Sequence, residues 1–266
     1  MLRVLIWNEN VQEHWDQPME NAVLRDPERM KRIAEQIREI HPRGIHGTLS
    51  DIVKEMEGVE VRTATLDSPE CGLSDSVLDE TDVLIWWGHV AHDRLPDVIA
   101  EKIQNHVLRG MGFIALHSAH LCKPLKRLLG TSLTLKWREG DFCRVWTVDP
   151  THPIARGIPE SFELEEEEMY GEFFDIPKPD SLIFLNWNRG GEVFRSGCAW
   201  ERGYGKVFYF QPGHETNRSY LNPSVRAVIQ NAVRWAAPTR RIGALECPNI
   251  LASPELRHTG KAGSIL

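Results

Sequence analysis

The sequence FIALHSAH, residues 113–120, leads from four apolar residues directly into two histidines. A short apolar run of this kind is typical of a strand that is buried on both faces in a parallel sheet. The residues that follow have a helical pattern that ends near Gly130. In α/β proteins, ligands bind outside the carboxyl ends of the parallel strands. The run therefore predicts a parallel sheet with His117 and His120 at its ligand-binding edge.

The chain before this run alternates strand and helix patterns. Residues 2–7 and 82–87 are mostly apolar and predict buried strands, residues 59–65 also predict a strand, and the segments between them have helical periodicity. Asp26 followed by Pro27 predicts a helix start, because Asp is a favoured N-cap and Pro fits the first helical position. This alternation is typical of a doubly wound, flavodoxin-like α/β fold with a mostly parallel sheet and helices on both faces.

Beyond residue 131 the pattern changes to short strands separated by turn residues. These strands predict an antiparallel or mixed extension of the sheet, closed by a helix over residues 223–235, and their bounds are 143–148, 181–186, 193–200 and 207–210. We expect one α/β domain over residues 1–237 and a C-terminal extension or arm over residues 238–266. The apolar, proline-containing extension favours a homo-oligomer.

Composition limits the kind of partner that the protein can have. The 266 residues have a formal net charge of −7 at pH 7, so nucleic acid is not an expected partner. The apolar runs are too short to cross a bilayer, and the first residues show no export signal. The cysteines are scattered without a CxxC pair, as is typical of a reducing compartment; they are Cys71, Cys122, Cys143, Cys198 and Cys247. We expect a cytoplasmic protein that acts on a small molecule, without a membrane partner.

Polar side chains directly follow four of the predicted strands. They are Asn8 and Glu9 after the first, His89 after the third, His117 and His120 after the fourth, and His214 and Glu215 after residues 207–210. Because the carboxyl ends of parallel strands share one edge of a sheet, we expect these groups to converge on one site. Imidazoles and carboxylates in one cleft can act as acids and bases or as metal ligands.

An acidic run, ELEEEEMYGE at residues 163–172, is the second polar feature of the sequence. Acidic runs usually form a solvated face. This one adjoins an MYG segment, so we expect Glu168 and Glu172 to turn inward as acid/base groups. Of the tryptophans, Trp87 and Trp137 have the positions that best suit stacking against a sugar ring.

These motifs together resemble the trehalose-utilisation, or ThuA-like, family, whose fold is that of class I glutamine amidotransferases. The resemblance covers residues 2–237. It rests on FIALHSAH together with VLIWWGH at 83–89, HPIARGI at 152–158, YGKVFYFQPGH at 204–214 and NAVRW at 231–235. The resemblance implies a class I glutamine amidotransferase-like fold and a role in carbohydrate metabolism.

The comparison with amidotransferases also tests a mechanism. In those enzymes a nucleophilic cysteine occupies the strand-to-helix elbow, and that position is His117 in this chain, whereas Cys122 comes after the elbow. Without a thiolate at the elbow, no glutaminase activity is expected. A helix N-terminus behind His117 disfavours the imidazolium, so we expect a neutral ring that is a metal ligand, a general base or a hydrogen-bond donor.

The leading hypothesis is a hydrolase, isomerase or lyase of trehalose or keto-disaccharide utilisation. The expected acid/base residues are His117, His214, Glu168 and Glu172. The expected substrate-binding residues are Asn8, Glu9, Trp87, His120, Trp137, Arg195 and Glu215. A divalent metal such as zinc is expected at His89, His117 and His214, and no nucleotide cofactor is expected. The alternatives are a non-catalytic sugar-binding or regulatory protein on the same fold, and an interaction module that uses residues 238–266.

Overall fold

The computed structural model describes residues 1–16, 26–245 and 253. Nine strands form one sheet, and in chain order they are β1 Leu2–Asn8, β2 Val59–Thr65, β3 Val83–Trp87, β4 Gly112–Leu116, β5 Lys136–Thr147, β6 Ser161–Gly171, β7 Ser181–Asn188, β8 Val193–Arg202 and β9 Gly205–Phe210. The α-helices of the described residues are α1 Pro27–Ile40, α2 Gly44–Lys54, α3 Asp75–Asp79, α4 Asp97–Leu108, α5 Lys123–Leu129 and α6 Pro223–Ala236.

The sheet is parallel at one end and antiparallel at the other. Its strand order is β2-β1-β3-β4-β9-β8-β7-β5-β6. The pairings from β2 to β9 are parallel, and those from β9 to β6 are antiparallel. The predicted mixed α/β sheet is confirmed, but its antiparallel part is larger than expected. The reason is β6, which the sequence did not predict as a strand because a run of glutamates obscures its alternation.

Helices cover both faces of the parallel half, because successive strand residues point to opposite sides. Phe113 on β4 belongs to one apolar cluster, which includes Ile103 of α4. Its neighbour Ile114 belongs to the opposite cluster, which includes Ile229 of α6. All four side chains are at most 1% exposed. Each strand of this half is therefore held between two helical layers, which fixes its carboxyl end.

The predicted helix starts are confirmed where caps are present. Asp26 accepts hydrogen bonds from the backbone N–H groups of Glu28 and Arg29, and Pro27 is the first residue of α1. Asn222 caps α6 in the same way, and that helix ends at Ala236, one residue beyond the prediction. No helix in the described parts of the chain is long and apolar enough to span a membrane.

The first residues of the C-terminal extension lie against the domain. The backbone N–H of Ile242 donates to the carbonyl of Arg109 over 3.0 Å, and Arg109 donates back to Gly243 over 2.9 Å. Arg241 donates to the carbonyl of Asp79 over 2.8 Å. The rest of the expected arm, apart from residue 253, lies outside the described residues, as does Cys247.

Candidate functional site

The turn after β4 holds His117 in an unusual backbone conformation. Its φ is +52°, in the left-handed region that non-glycine residues rarely adopt. The next residue, Ser118, donates its hydroxyl to the carbonyl of Gly88 over 3.0 Å, which ties this turn to the end of β3. The Nδ1 atom of His117 lies 2.9 Å from the carbonyl oxygen of Gln211. Because a carbonyl only accepts, Nδ1 carries a proton, and Nε2 faces the site.

Three imidazoles meet at the carboxyl ends of β3, β4 and β9, which are neighbouring strands. The ring centroids of His89 and His117 are 5.8 Å apart, those of His89 and His214 are 5.6 Å apart, and those of His117 and His214 are 5.3 Å apart. One nitrogen of each ring and one carboxylate oxygen of Glu215 all lie within 4.8 Å of one another. The structure therefore brings together the three histidines that strand ends alone predict to converge.

Glu215 is the carboxylate within this cluster. Both its oxygens lie 3.0 Å from Nδ1 of His89, Oε1 lies 3.7 Å from Nε2 of His214, and the amide of Gln12 donates to it. Burial lowers the pKa of His89, but the Glu215 charge outweighs burial and raises it to about 9. Burial raises the pKa of Glu215, yet His89 and His214 hold it well below its usual range. The two residues form an ion pair in which Glu215 is buried and His89 is partly exposed.

Strand β6 supplies a second carboxylate, Glu168, and an aromatic ring, Tyr170. Oε2 of Glu168 lies 3.1 Å from Nε2 of His117, and it accepts no well-aligned hydrogen bond from the described residues. The Tyr170 ring stacks on His117 with centroids 5.1 Å apart. Burial lowers the pKa of His117, but Glu168 outweighs it and raises that pKa above its ordinary value. This effect of Glu168 opposes the one expected from the helix N-terminus behind His117, because the carboxylate is distant in sequence and its charge outweighs the local backbone. A neutral His117 stays a prediction.

Glu167, the neighbour of Glu168, positions the loop that carries His214. It is fully buried, and it accepts hydrogen bonds from the backbone N–H groups of Gly213 over 2.8 Å and His214 over 3.2 Å. It also accepts from the hydroxyl of Ser219. Consecutive glutamates can both be buried because the pairing of β6 with β5 shifts register at this point. Sequence analysis missed Glu167 because a register shift breaks the simple alternation.

Three residues expected to bind substrate make hydrogen bonds that hold the loops of the site. Glu9 accepts from the N–H groups of Val90 over 2.7 Å and of the next residue over 3.0 Å, which anchors the loop after His89. Asn8 donates to Glu13 over 2.7 Å. Trp87 is fully buried and donates its indole N–H to the carbonyl of Gly213 over 3.1 Å. A direct contact of Glu9, Asn8 or Trp87 with substrate stays a prediction.

Other expected site residues lie behind or beside the cluster. His120 donates from Nδ1 to the carbonyl of Leu133 over 2.6 Å, and burial lowers its pKa to about 4. Its ring meets Tyr170 edge-on. Glu172 and Arg195 form a two-point ion pair with both contacts at 2.9 Å. The roles expected of His120, Glu172 and Arg195 in catalysis or binding stay predictions.

Trp137 has the exposure that a sugar-stacking residue needs. It is 62% exposed on β5 and lies directly opposite Tyr170 of β6. Residues that face each other across an antiparallel pair project from the same face of the sheet. Trp137 therefore lies on the same face of the sheet as the Tyr170 ring, which stacks on His117. Its part in substrate binding stays a prediction.

Solvent reaches the cluster through two of the histidines. The side chains of His89 and His214 are 25% and 14% exposed, whereas that of His117 is fully buried. A groove of about 630 Å³ lies nearby between α1, β6 and residues 216–222. Thr216 lines this groove, and its hydroxyl lies 2.9 Å from Nδ1 of His214, but the histidines themselves are not among its lining residues.

The elbow offers no thiol nucleophile. Cys122 comes five residues after His117, and burial raises its pKa to about 12. The arrangement instead provides imidazoles and carboxylates in contact, which can move protons or bind a cation. Sequence analysis also missed Gln12 and Tyr170. The polar residues that follow Asn10 could have indicated Gln12, while Tyr170 carried no signal without the position of β6.

Comparison with known proteins gives a family and a fold. The family described as ThuA, trehalose utilisation, matches residues 3–236. No curated protein matches the sequence. A ThuA-like protein from Parabacteroides merdae is 12% identical with a TM-score of 0.59, over 91% of this chain and 92% of that chain. A cytoplasmic protein from Salmonella typhimurium is 13% identical with a TM-score of 0.57, over 90% of this chain and 100% of that chain.

The same fold also occurs within a larger enzyme. A β-galactosidase from Rahnella is 14% identical with a TM-score of 0.51, over 88% of this chain but only 31% of that chain. At such low identity these likenesses concern the fold alone.

Proposed function

We propose that this chain, which belongs to the ThuA family of trehalose utilisation, is an enzyme acting on trehalose or a keto-disaccharide derived from it. The reaction is acid/base chemistry at the histidine cluster: hydrolysis, isomerisation or a lyase-type elimination. The protein is cytoplasmic and takes a small-molecule sugar as its partner. The scattered cysteines and the negative net charge support this setting.

The contact between His117 and Glu168 carries the proposal. Their Nε2 and Oε2 atoms are 3.1 Å apart, and both residues are at most 4% exposed. Burial raises the pKa of Glu168, but His117 outweighs burial and lowers it, while Glu168 raises the pKa of His117. The pair therefore holds one proton that either partner can deliver to, or accept from, a group bound beside it. General acid/base catalysis by such a positioned group contributes about 10²- to 10⁴-fold in rate.

The surroundings of the pair suit a polyhydroxyl substrate. His89 and His214 are partly exposed, so a sugar entering the site would meet their ring nitrogens first. Trp137 offers an exposed aromatic face on the same side of the sheet, and aromatic faces stack against the C–H faces of sugar rings. A ketone in the substrate acidifies the adjacent C–H bond. His117 or Glu168 would accept the proton that this bond releases.

Incubation of the purified protein with trehalose and with its keto derivative tests the proposal, with products followed by ¹³C NMR. The wild type should convert one of them, His117→Asn should abolish turnover, and Glu168→Gln should reduce it about 10²- to 10⁴-fold. Asn is the preferred replacement because it tolerates the left-handed backbone at position 117. Glu166→Gln, an exposed neighbour on β6, is the matched control and should keep full activity.

Two results would overturn the assignment. One is full turnover by folded His117→Asn, as judged by circular dichroism. The other is calorimetric binding of the sugars without any product, which would establish the non-catalytic sugar-binding alternative.

A further inference from the structure

We propose that His89, His117, His214 and Glu215 bind one divalent transition-metal ion, with Zn²⁺ as the test ion. The four donor atoms lie within 4.8 Å of one another. A tetrahedral zinc site with ligand bonds of about 2.0–2.2 Å places its donor atoms roughly 3.4 Å apart. The contacts of Glu215 with His89 at 3.0 Å and with His214 at 3.7 Å lie on either side of that spacing. Small shifts of these side chains would bring the four donor atoms to the spacing of a tetrahedral site.

The donor set selects the class of metal. Three imidazoles and one carboxylate suit Zn²⁺ and its neighbours among the transition metals, whereas Mg²⁺ and Ca²⁺ prefer oxygen ligands throughout. In His117 the Nδ1–H donates to the carbonyl of Gln211, a hydrogen bond typical of a metal-binding histidine, so Nε2 would ligate in place of the proton that it shares with Glu168. Gln12 holds the carboxylate of Glu215 in a similar way.

The charges around the cluster give independent support. Glu168 and Glu215 are buried carboxylates, and they contact His117 and His89 respectively. A divalent cation held by neutral imidazoles would neutralise both carboxylates in place of the ring protons that pair with them in the metal-free chain, and buried charges need such compensation. Oε2 of Glu168 lies 3.1 Å from Nε2 of His117, so its charge faces the nitrogen that would ligate.

His214 gives the proposal its sharpest test. Its Nδ1 lies 3.2 Å from the backbone N–H of Thr216 and 2.9 Å from the Thr216 hydroxyl. Because Nδ1 accepts a hydrogen bond from this N–H, the ring proton is favoured on Nε2. Ligation through Nε2 requires the proton on Nδ1 instead, and only the Thr216 hydroxyl oxygen can then accept a hydrogen bond from Nδ1–H. Thr216→Val removes that acceptor and keeps the backbone N–H and the side-chain shape. It should therefore weaken metal binding about 10- to 100-fold, as loss of a ligand's hydrogen-bond partner does.

A bound ion would supply Lewis acidity toward an oxygen of the ligand in the site. The ion and the proton shared with Glu168 would occupy the same nitrogen of His117, so the acid/base assignment applies to the metal-free chain. Ion binding is measured without a sugar. Its failure would leave the His117–Glu168 assignment intact, and loss of turnover would leave the ion-binding result intact.

The experiment uses the full chain, stripped with a chelator and titrated with Zn²⁺ by calorimetry, and with Co²⁺ by visible absorption. We expect one ion per chain, a rise in the thermal midpoint on loading, and Co²⁺ bands typical of nitrogen and oxygen ligands. His214→Ala and Glu215→Gln should each lower affinity at least tenfold by loss of a ligand. His152→Ala is the matched control, because His152 lies against Trp235 of α6, and should bind like the wild type.

Absence of saturable binding to the folded wild type would overturn the proposal. So would equal affinity in the wild type, Glu215→Gln and Thr216→Val, since the ion would then lie elsewhere. Near-ultraviolet circular dichroism of each metal-free variant establishes that it is folded. Thr216→Val keeps the test decisive if a ligand variant fails to fold.

Discussion

Replacing Glu167 by Gln should destabilise the whole chain, although the residue contacts neither solvent nor the three imidazoles. Its carboxylate accepts from the N–H groups of Gly213, His214 and Glu168 and from the hydroxyl of Ser219. In Gln one oxygen becomes an NH₂ group, which cannot accept and which faces donors that are then left unpaired.

The size of the effect follows from the number of donors affected. A hydrogen bond to a charged group contributes about 1.5–3 kcal/mol, and an unpaired buried donor costs about 1–3 kcal/mol. Because each oxygen of Glu167 serves two donors, we expect a loss of roughly 2–4 kcal/mol after relaxation. For a chain of this length, 1 kcal/mol corresponds to about 2–4 °C, so the thermal midpoint should fall by roughly 5–15 °C.

Urea unfolding and thermal scans at pH 7 measure this loss. Glu166→Gln makes the same chemical change at the adjacent, exposed position of β6 and should stay within about 0.5 kcal/mol of the wild type. Equal stabilities of the two variants would refute the reasoning, because the carboxylate of Glu167 would then not hold the His214 loop.

Further predictions concern a glycine, an ion pair and a thiol. Gly213→Ala should cost about 1–3 kcal/mol in unfolding experiments, because Gly213 has φ +137° and a Cβ there would meet the ring of Tyr220; an unchanged midpoint would contradict the clash. Burial raises the pKa of Asp82 but the two-point pairing with Arg3 outweighs it and lowers that pKa. The pair's stabilisation is therefore present above the unfolded-state pKa and is lost as the pH falls through the folded-state value. Asp82→Asn should be less stable than the wild type at pH 7, with the difference shrinking below about pH 4; a difference constant with pH would contradict it. Burial raises the pKa of Cys122 to about 12, so about one thiol in a thousand is ionised at pH 9. Iodoacetamide should label that residue far more slowly in native than in urea-unfolded protein, as mass spectrometry can measure, and equal rates would refute it.

Much of the parallel half and its histidines could be predicted from the sequence, for a simple physical reason. A buried parallel strand is a continuous apolar run, and the first polar residue after it marks the ligand-binding edge. His117 follows such a run directly, His89 follows one after a single glycine, and His214 follows one after a short turn. The rings converge because their strands are neighbours in the sheet. The chain pattern indicates that these groups lie at a sheet edge, but the parallel pairing of β9 with β4 was not predicted, since residues 207–210 were assigned to the antiparallel extension.

Strand β6 shows where this reasoning ends. Its glutamates at 165 and 166 are exposed while those at 167 and 168 are buried, so no period-two pattern is visible. The strand also reaches the site from the far edge of the sheet, and only tertiary structure brings Glu168 and Tyr170 to a ring more than fifty residues earlier. The contact of His117 with Glu168 was missed for the same reason, since the local elbow contains no sign of Glu168.

Histidine side-chain ¹⁵N NMR tests the central claim most directly, with selectively labelled protein titrated with trehalose or its keto derivative. The ring signals of His89, His117 and His214 should shift together on binding, while that of His152 stays in place. If the sugar binds or is converted while those three signals do not move, the histidine cluster is not the functional site.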